Sequence, residues 1–291
     1  SAVTEEHMGY FKTLDAVAAE ELSVFDFAQA VLINGDDIPG KYLAGQAFLE
    51  YSTVSPQADY YARPSAGGLE GQTLAITMPK GSIAAAKVQY IGTQGAKFAL
   101  AAAAVGNMLG MTPGEIKAGL QHLEHFAGRM QVLPGLDGST LIDDTYNASP
   151  VAVKAALDVL YAAAAPQRIA VLGSMNELGD YSRPAHQEVG AYCDPEKLDV
   201  VVTIGTDAKR WLAPAAKKRG CAVESFLNPV DAGNFVRQQM KPSSVILVKG
   251  SQNGVFAEEA LKPLLADPAD AAKLVRQSDS WLRMKRRQFN V

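Results

Sequence analysis

The chain after residue 128 alternates between two apolar patterns. Short runs of β-branched and apolar residues predict buried strands, and the segments between them carry apolar residues at helical spacing. Strands separated by helices of this length predict right-handed crossovers and a largely parallel sheet with helices on both faces. The predicted strands are Ser139–Asp143, Arg168–Leu172, Val200–Ile204 and Val245–Val248, and the predicted helices are Val151–Tyr161, Ala185–Tyr192, Ala208–Arg219 and Val230–Gln239.

Local signals support these elements and extend the prediction to the first part of the chain. Ser149-Pro150 and Asn228-Pro229 are typical helix starts, with a capping residue before proline. Thr112 and Glu115 form a capping-box pattern that opens another helix, to about Leu123. The other predictions for the first part are a Leu14–Phe27 helix, a Val31–Ile33 strand, short antiparallel strands between Gly40 and Gly92, and an Ala96–Met108 helix. We place a domain boundary between residues 127 and 128.

Composition narrows the class of protein. Hydrophobic residues make up 48% and charged residues 20%, which is typical of a soluble globular protein. A net charge of −4 gives no basis for nucleic-acid binding. No apolar run reaches the ~20 residues of a membrane span. We expect the basic cluster Arg283, Lys285, Arg286 and Arg287 to be solvated.

The number and spacing of the cysteines indicate the redox state of the cellular compartment. Cys193 and Cys221 are far apart and lack metal-site spacing, so the sequence predicts neither a disulfide framework nor a structural zinc site. A reducing cytoplasm fits this usage. We expect a cytoplasmic protein without membrane insertion.

Polar turns follow three of the predicted strands. Asp143 through Pro150 (DDTYNASP) lies where a strand ends and a helix begins, and ligands bind at that edge of an open α/β sheet. A capping turn explains the same residues equally well, since Asp and Asn favour such turns. Gly173–Gly179 and Lys249–Gln252 follow two other strands. Glu177 could face a substrate amine, and Lys249 could neutralise a phosphate or carboxylate.

These segments together resemble the Mur ligase family. The residues that carry the resemblance are Gly128-Arg129-Met130, LIDDTYNASP (141–150), IAVLGSMNELGD (169–180) with His186 after it, and VILVKGSQ (245–252). Tyr146-Asn147 resembles the dipeptide-adding branch of the family, whereas the diaminopimelate- or lysine-adding branch usually has a DYAHTP-like segment. Before residue 128 the resemblance is looser. It rests on Glu6-His7-Met8, Leu14 through Phe25, VLINGDD (31–37) and the alanine-rich segment from Gly92 to Val105.

The resemblance implies an α/β fold: part of a central ATPase domain (1–127) followed by a Rossmann-like C-terminal domain (128–291). It implies ATP and Mg²⁺ as cofactors, and a monomer that joins D-alanyl-D-alanine to UDP-N-acetylmuramoyl-tripeptide through an acyl phosphate. Such chemistry needs positioning and charge neutralisation more than a protein nucleophile. The implied site residues are His7 and Glu21 at magnesium, Asn34, Asp37, Arg129, Asp144, Tyr146 and Asn147 near the nucleotide, and Glu177 and Lys249 at the reaction centre.

Several positions depart from the family pattern. Glu21 stands where the family has a carbamylated lysine, and its own carboxylate is a hard oxygen ligand of the kind magnesium prefers. An exposed surface role for Glu21 beside Glu20 is an equal alternative. Phe98 and Gln94-Gly95 replace residues expected near adenine, and Gln252 replaces an arginine. These departures keep two alternatives open: another Mur-type ligase, including a folylpolyglutamate synthetase-like enzyme, and a non-catalytic binding protein.

The sequence also contains no GxxxxGK[ST] phosphate loop. The chain opens with Ser1, and we expect it to be a piece of a longer protein in which the loop precedes this residue. On that interpretation, the chain alone should not form the amide at a useful rate, because the loop supplies much of the phosphate cradle.

Overall fold

The computed structural model describes residues 2–5 and 7–289, so Glu6 lies outside the described residues. The chain divides into two units, Ser1–His125 (unit 1) and Phe126–Val291 (unit 2). No helix within the described ranges is long and apolar enough to cross a bilayer.

Unit 1 is built on a five-stranded sheet. Its strands are β1 (Leu32–Asn34), β2 (Leu49–Ser52), β3 (Tyr60–Gly68), β4 (Gly71–Met78) and β5 (Gly81–Val88), in the order β1-β2-β3-β4-β5. The helices are α1 (Met8–Phe11), α2 (Leu14–Glu21), α3 (Gly92–Met108) and α4 (Pro113–Gln121). Both α3 and α4 bury apolar side chains against β3, β4 and β5. The Thr112–Glu115 capping box is present, as predicted.

Two predictions for unit 1 need correction. The strands between Gly40 and Gly92 are only partly antiparallel, because β2 pairs parallel with both β1 and β3. Apolar alternation marks a strand but not the direction of its neighbour. The predicted Leu14–Phe27 helix ends at Glu21 and continues as a 3₁₀ segment, Leu22–Asp26. There the Ser23 hydroxyl donates to the Glu20 carbonyl, a local bond that competes with regular helix.

Unit 2 contains a six-stranded sheet in the order β10-β9-β8-β11-β7-β6. Its strands are β6 (Gln131–Pro134), β7 (Thr140–Asp144), β8 (Arg168–Gly173), β9 (Val200–Ile204), β10 (Val223–Phe226) and β11 (Val245–Lys249). All neighbours pair parallel except β6 with β7. The sheet, with the four predicted strands inside it, is confirmed; β6 and β10 are additional short strands.

In the described part of unit 2, five helices accompany this sheet. They are α5 (Pro150–Ala162), α6 (Ser182–Tyr192), α7 (Ala213–Lys218, preceded by a π turn at Ala208–Leu212), α8 (Pro229–Gln239) and α9 (Asp279–Phe289). The chain runs from β7 through β8 and β9 to β10 in one direction along the sheet and then returns to β11. Because crossovers are right-handed, α8 covers the opposite face from α5, α6 and α7. On the α8 face, Ala232 and Val236 join a core with Ile169, Val202 and Ile246.

The helix starts differ in how they are capped. The Asn228 side chain accepts from the Val230 amide, as predicted. The Ser149 hydroxyl, in contrast, makes no capping bond within the described structure. The Ser149 carbonyl accepts from the Val153 amide, and Pro150 occupies the first turn with a preset backbone angle.

Candidate functional site

The carboxyl ends of β7, β8 and β11 bring the three predicted polar turns to one edge of the unit 2 sheet. Since β11 lies between β7 and β8, Lys249 is in register with Asp144 on one side and Leu172 on the other. Such an edge is where open α/β sheets bind ligands.

A buried ion pair links two of these strand ends. The Lys249 Nζ lies 2.5 Å from Asp144 Oδ2 and donates to the Asn147 carbonyl at 3.0 Å. Asp144 Oδ1 accepts from the Met130 amide at 3.1 Å. Lys249 is 2% and Asp144 7% exposed, so both charges depend on one another for compensation. Lys249 thus fixes the turn after β7 instead of pointing into solvent.

At the same turn, Arg129 and Tyr146 form an exposed surface. The Arg129 guanidinium stacks 4.2 Å from the centre of the Tyr146 ring, and the ring remains 43% exposed. The Tyr146 amide donates to the Gly128 carbonyl at 3.0 Å, which holds the two segments together. Gly128 has a φ of +67°, a left-handed conformation that glycine adopts without strain. The pair offers a flat face and a positive charge to a ligand.

Glu177 lies on the neighbouring turn. It is exposed and has a left-handed φ of +64°. The Asn176 side chain donates to the Gln252 and Asn253 carbonyls at 2.6 and 2.8 Å, which ties this turn to the one after β11. Beyond it, a cleft of about 640 Å³ runs along the ends of β8, β9 and β10, with polar groups from Ser174, Asn176, Thr206, Asp207 and Asn228.

His186 is hydrogen-bonded to the backbone of the turn that contains Glu177. The residue is fully buried, and its Nε2 accepts from the Met175 amide at 2.9 Å. Its Nδ1 lies 2.7 Å from the Ser182 carbonyl, so the neutral tautomer with the proton on Nδ1 satisfies both contacts. Burial lowers the pKa of His186, which favours the same neutral form.

Asp143 has a raised pKa that its sequence context does not predict. It is fully buried, and Oδ1 accepts from the Thr145 amide and hydroxyl. Burial raises the pKa of Asp143 to about 7, against the lowering effect of the Thr145 bonds. Gln131 is its partner across β6 and β7. Among the described residues, Asp143 Oδ2 and Gln131 Oε1 are both buried acceptors without a donor, and a proton on Asp143 would supply one.

We therefore expect Asp143→Asn to change the pH dependence of stability. The folded-state pKa lies above the ordinary 3.8, so wild-type stability falls as pH rises from about 4 to 7 and then levels off. Asp143→Asn lacks this loss, and its stability relative to wild type should rise by up to about 1.4 kcal/mol per pH unit in that window. Urea unfolding followed by tryptophan fluorescence from pH 4.5 to 8.5 measures it. Asp231→Asn, at an exposed position, is the control, and a constant difference for both variants would contradict the protonated Asp143.

The two residues of unit 1 predicted to lie near the nucleotide, Asn34 and Asp37, form a polar group of their own. Asn34 Nδ2 donates to Asp37 Oδ2 at 2.6 Å, at the end of β1. The buried Lys97 on α3 completes the group, with its Nζ 2.6 Å from Asp37 and 3.7 Å from Asp36. Sequence reasoning missed Lys97, since nothing in the helical pattern marks a lysine as buried. The Asp37 carboxylate is therefore neutralised within unit 1.

The two predicted magnesium ligands lie in the first part of unit 1. His7 is exposed and precedes α1, and Glu21 is the last, partly buried residue of α2. Within the described part of the chain, no group of three or more His, Cys, Asp or Glu residues could hold a metal ion by itself. A complete protein cage is not required for Mg²⁺, which usually keeps several waters and binds one or two carboxylates together with phosphates. The Glu21 carboxylate fits such a partial donor set, whereas the His7 imidazole is not an oxygen ligand and its assignment rests on the family resemblance alone.

Comparisons with known proteins agree on the family. Residues 1–106 match the Mur ligase middle domain, and residues 128–252 match the Mur ligase, glutamate ligase domain. A UDP-N-acetylmuramoyl-tripeptide–D-alanyl-D-alanine ligase from Haemophilus influenzae is 33% identical over 67% of this chain and 42% of its own length. The enzyme of the same name from Bacillus subtilis is 28% identical over 91% of this chain and 58% of its own length. The chain thus spans about half the length of these relatives.

Solved structures show the same fold. MurF from Acinetobacter baumannii aligns with a TM-score of 0.76 at 22% identity, covering 93% of this chain and 58% of that protein. MurF from Thermotoga maritima, solved in complex with ADP, aligns with a TM-score of 0.74 at 21% identity, covering 90% and 59%. With both domain matches and the sheet-edge site in place, the chain belongs to the Mur ligase family, of which it contains the middle and C-terminal domains.

Proposed function

We propose that the protein containing this chain is an ATP- and Mg²⁺-dependent ligase that adds D-alanyl-D-alanine to UDP-N-acetylmuramoyl-tripeptide. The observation that carries the proposal is the turn from Asp144 to Asn147, held at the sheet edge by buried Lys249. The turn contains the Tyr146-Asn147 sequence typical of the dipeptide-adding branch. Both relatives described above carry the name of that reaction.

In the proposed reaction, a carboxylate oxygen of the tripeptide attacks the γ-phosphorus of ATP, which gives an acyl phosphate and ADP. The dipeptide amine then attacks the acyl carbon, phosphate leaves, and the amine loses a proton as the amide forms. Magnesium, held in part by His7 and Glu21, would neutralise charge on the transferred phosphoryl group. ATP binding fits the exposed Arg129–Tyr146 surface, which offers a cation for phosphate and a flat ring beside the ribose or base.

The remaining edge suits the second substrate. The cleft along β8, β9 and β10 adjoins the Asn176-Glu177 turn and is lined by amide, hydroxyl and carboxylate groups. We propose that the dipeptide enters here, with Glu177 near its amine. The free, buried cysteines of the described chain also suit a reducing compartment, and we propose a cytoplasmic location.

The proposed magnesium role of Glu21 gives a prediction with a built-in control. Glu21→Gln removes a carboxylate oxygen ligand, so it should raise the magnesium concentration needed for ligation and lower the rate by about 10-fold or more. The neighbouring Glu20 is exposed on the same helix, and Glu20→Gln should have little effect. Magnesium titrations of both variants in the full-length protein provide the measurement. Equal, small effects would assign Glu21 to the surface.

Genetic complementation tests the proposed activity. The full-length protein should restore growth to a bacterial strain depleted of its D-alanyl-D-alanine-adding ligase, and should fail in a strain depleted of its diaminopimelate-adding ligase. The reverse pattern would indicate another Mur-type ligase. Failure in both, with the protein expressed and folded, would favour a non-catalytic binding protein, a reading consistent with the exposed Phe98 at a position expected near adenine.

A further inference from the structure

The C-terminal part of unit 2 contains a network of buried charges outside the site described above. Arg276 and Lys285 have side chains that are 7% and 2% exposed, and their partners Glu258 and Glu259 are 0% and 6% exposed. The expectation that the C-terminal basic cluster is solvated is therefore wrong for Lys285. Lys285 faces two buried carboxylates, whereas Arg283, Arg286 and Arg287 are exposed.

Arg276 uses both edges of its guanidinium. On one side, Nε and Nη2 bind Glu258 Oε1 and Oε2 at 2.8 and 2.6 Å, a bidentate pair. On the other side, Nη2 donates to the Thr145 carbonyl at 2.6 Å and Nη1 to the Tyr146 carbonyl at 3.1 Å. A single arginine therefore connects the C-terminal segment to the turn after β7.

The backbone of the turn after β7 is held by hydrogen bonds to residues outside it. Residues 145–149 lie between β7 and α5, so their backbone groups find no regular ladder and need other hydrogen bonds. The Tyr146 amide donates to the Gly128 carbonyl, and the Asn147 carbonyl accepts from Lys249. The Thr145 and Tyr146 carbonyls accept from Arg276. Arg276 thus supplies two hydrogen bonds to the backbone on either side of the Tyr146 peptide nitrogen.

Lys285 in turn holds Arg276. From α9, its Nζ lies 2.8 Å from Glu258 and 2.6 Å from Glu259, and it donates to the Arg276 carbonyl at 2.8 Å. Arg276 itself has a left-handed φ of +55°, which a non-glycine residue adopts only when its surroundings hold it there. Through Lys285, α9 thus fixes the backbone of Arg276, which in turn binds the turn after β7.

We propose that Arg276 is a positioning residue for the Asp144–Asn147 turn and that α9, through Lys285, is the latch that keeps it in place. The C-terminal helix then acts on the orientation of Tyr146 through Arg276. The functional consequence rests on the proposed nucleotide contact of this turn: loosening Arg276 should weaken binding of ATP more than it slows the chemical step.

Hydrogen exchange of the 291-residue chain, without nucleotide, tests the positioning role directly. Arg276→Lys keeps the charge but loses the fork, and the Tyr146 amide should exchange about 10- to 100-fold faster while the amides of β8 keep their protection. Lys285→Met keeps the side-chain volume and should speed exchange in both α9 and the turn. Arg286→Met, at an exposed position on the same helix, should change neither.

Unchanged exchange at Tyr146 in a folded Arg276→Lys variant would overturn the proposal. If that variant does not fold, Lys285→Met decides: faster exchange confined to α9 would equally overturn the coupling between latch and turn. In the full-length protein, Arg276→Lys should raise KM for ATP by about 10-fold with kcat changed much less; a fall in kcat alone would contradict it. Failure of the proposed function would be seen separately, as wild-type Tyr146 exchange that ADP and Mg²⁺ leave unchanged.

Discussion

Replacing Lys249 by methionine is expected to destabilise unit 2 by about 3–5 kcal/mol and to reduce ligation by about 100-fold or more. The change keeps most of the side-chain volume but leaves the Asp144 carboxylate buried without its counter-charge. It also removes the donor to the Asn147 carbonyl, so the turn after β7 loses a fixed contact. Both tryptophans, Trp211 and Trp281, lie in unit 2, and urea unfolding followed by their fluorescence measures the stability.

A double variant separates the ion pair from simple packing. Asp144→Asn alone should cost a similar amount, because it leaves the Lys249 charge buried. Combining Asp144→Asn with Lys249→Met removes both charges, and the double variant should be more stable than the sum of the single losses predicts. Ligation should stay low in all three proteins. Strictly additive losses in stability would mean that the two residues do not act as a buried pair.

Gly128→Ala is expected to cost about 2–3 kcal/mol and to disturb the Tyr146 turn. The left-handed backbone at this position accounts for about 1 kcal/mol of that cost. The remainder is steric, since an added Cβ would lie 3.0 Å from the Tyr146 amide nitrogen and 2.9 Å from Val275 Cγ1. The backbone nitrogen cannot move without displacing the turn, so we expect ligation to fall together with stability.

The matched control is Gly220→Ala. Gly220 has a φ of +99°, and the nearest atom to an added Cβ, on Pro195, is 3.8 Å away. This variant carries backbone strain but no contact with the site, so it should lose stability with ligation intact after correction for the folded fraction. Equal losses of ligation for the two glycine variants would show that the Gly128–Tyr146 contact is unimportant for the reaction.

The strands and turns of the unit 2 sheet were predictable because a buried parallel strand leaves a continuous apolar run with a sharp polar end. This applies to β7, β8, β9 and β11. In contrast, β10 has only four residues and β6 ends in proline at the edge of the sheet, so neither stands out from a loop. The direction of strand pairing in unit 1 was not predicted correctly. Whether two strands pair parallel or antiparallel depends on how both are placed in the sheet, and the apolar pattern of one strand does not determine it.

The polar contacts of the site were predictable only in part. The sequence placed Asp144 and Lys249 at the same sheet edge, but their direct pairing spans 105 positions and depends on β11 returning beside β7. The burial of Lys97, Arg276 and Lys285 left no local signal, because each is compensated by carboxylates distant in sequence or on another element. Asp143 and Asp144 are adjacent and look alike, yet they face opposite sides of β7. One forms an ion pair, and burial raises the pKa of the other to about 7.

We propose above that this site belongs to a dipeptide-adding ligase. The most direct measurement is the reaction itself: the full-length protein is incubated with UDP-N-acetylmuramoyl-tripeptide, D-alanyl-D-alanine, ATP and Mg²⁺, and the products are analysed by mass spectrometry. We expect UDP-N-acetylmuramoyl-pentapeptide, ADP and phosphate in equal amounts, and pentapeptide lower by about 100-fold or more when Lys249→Met replaces the wild type. A folded full-length protein that produces no pentapeptide, or that joins a single amino acid in place of the dipeptide, would contradict the proposed function.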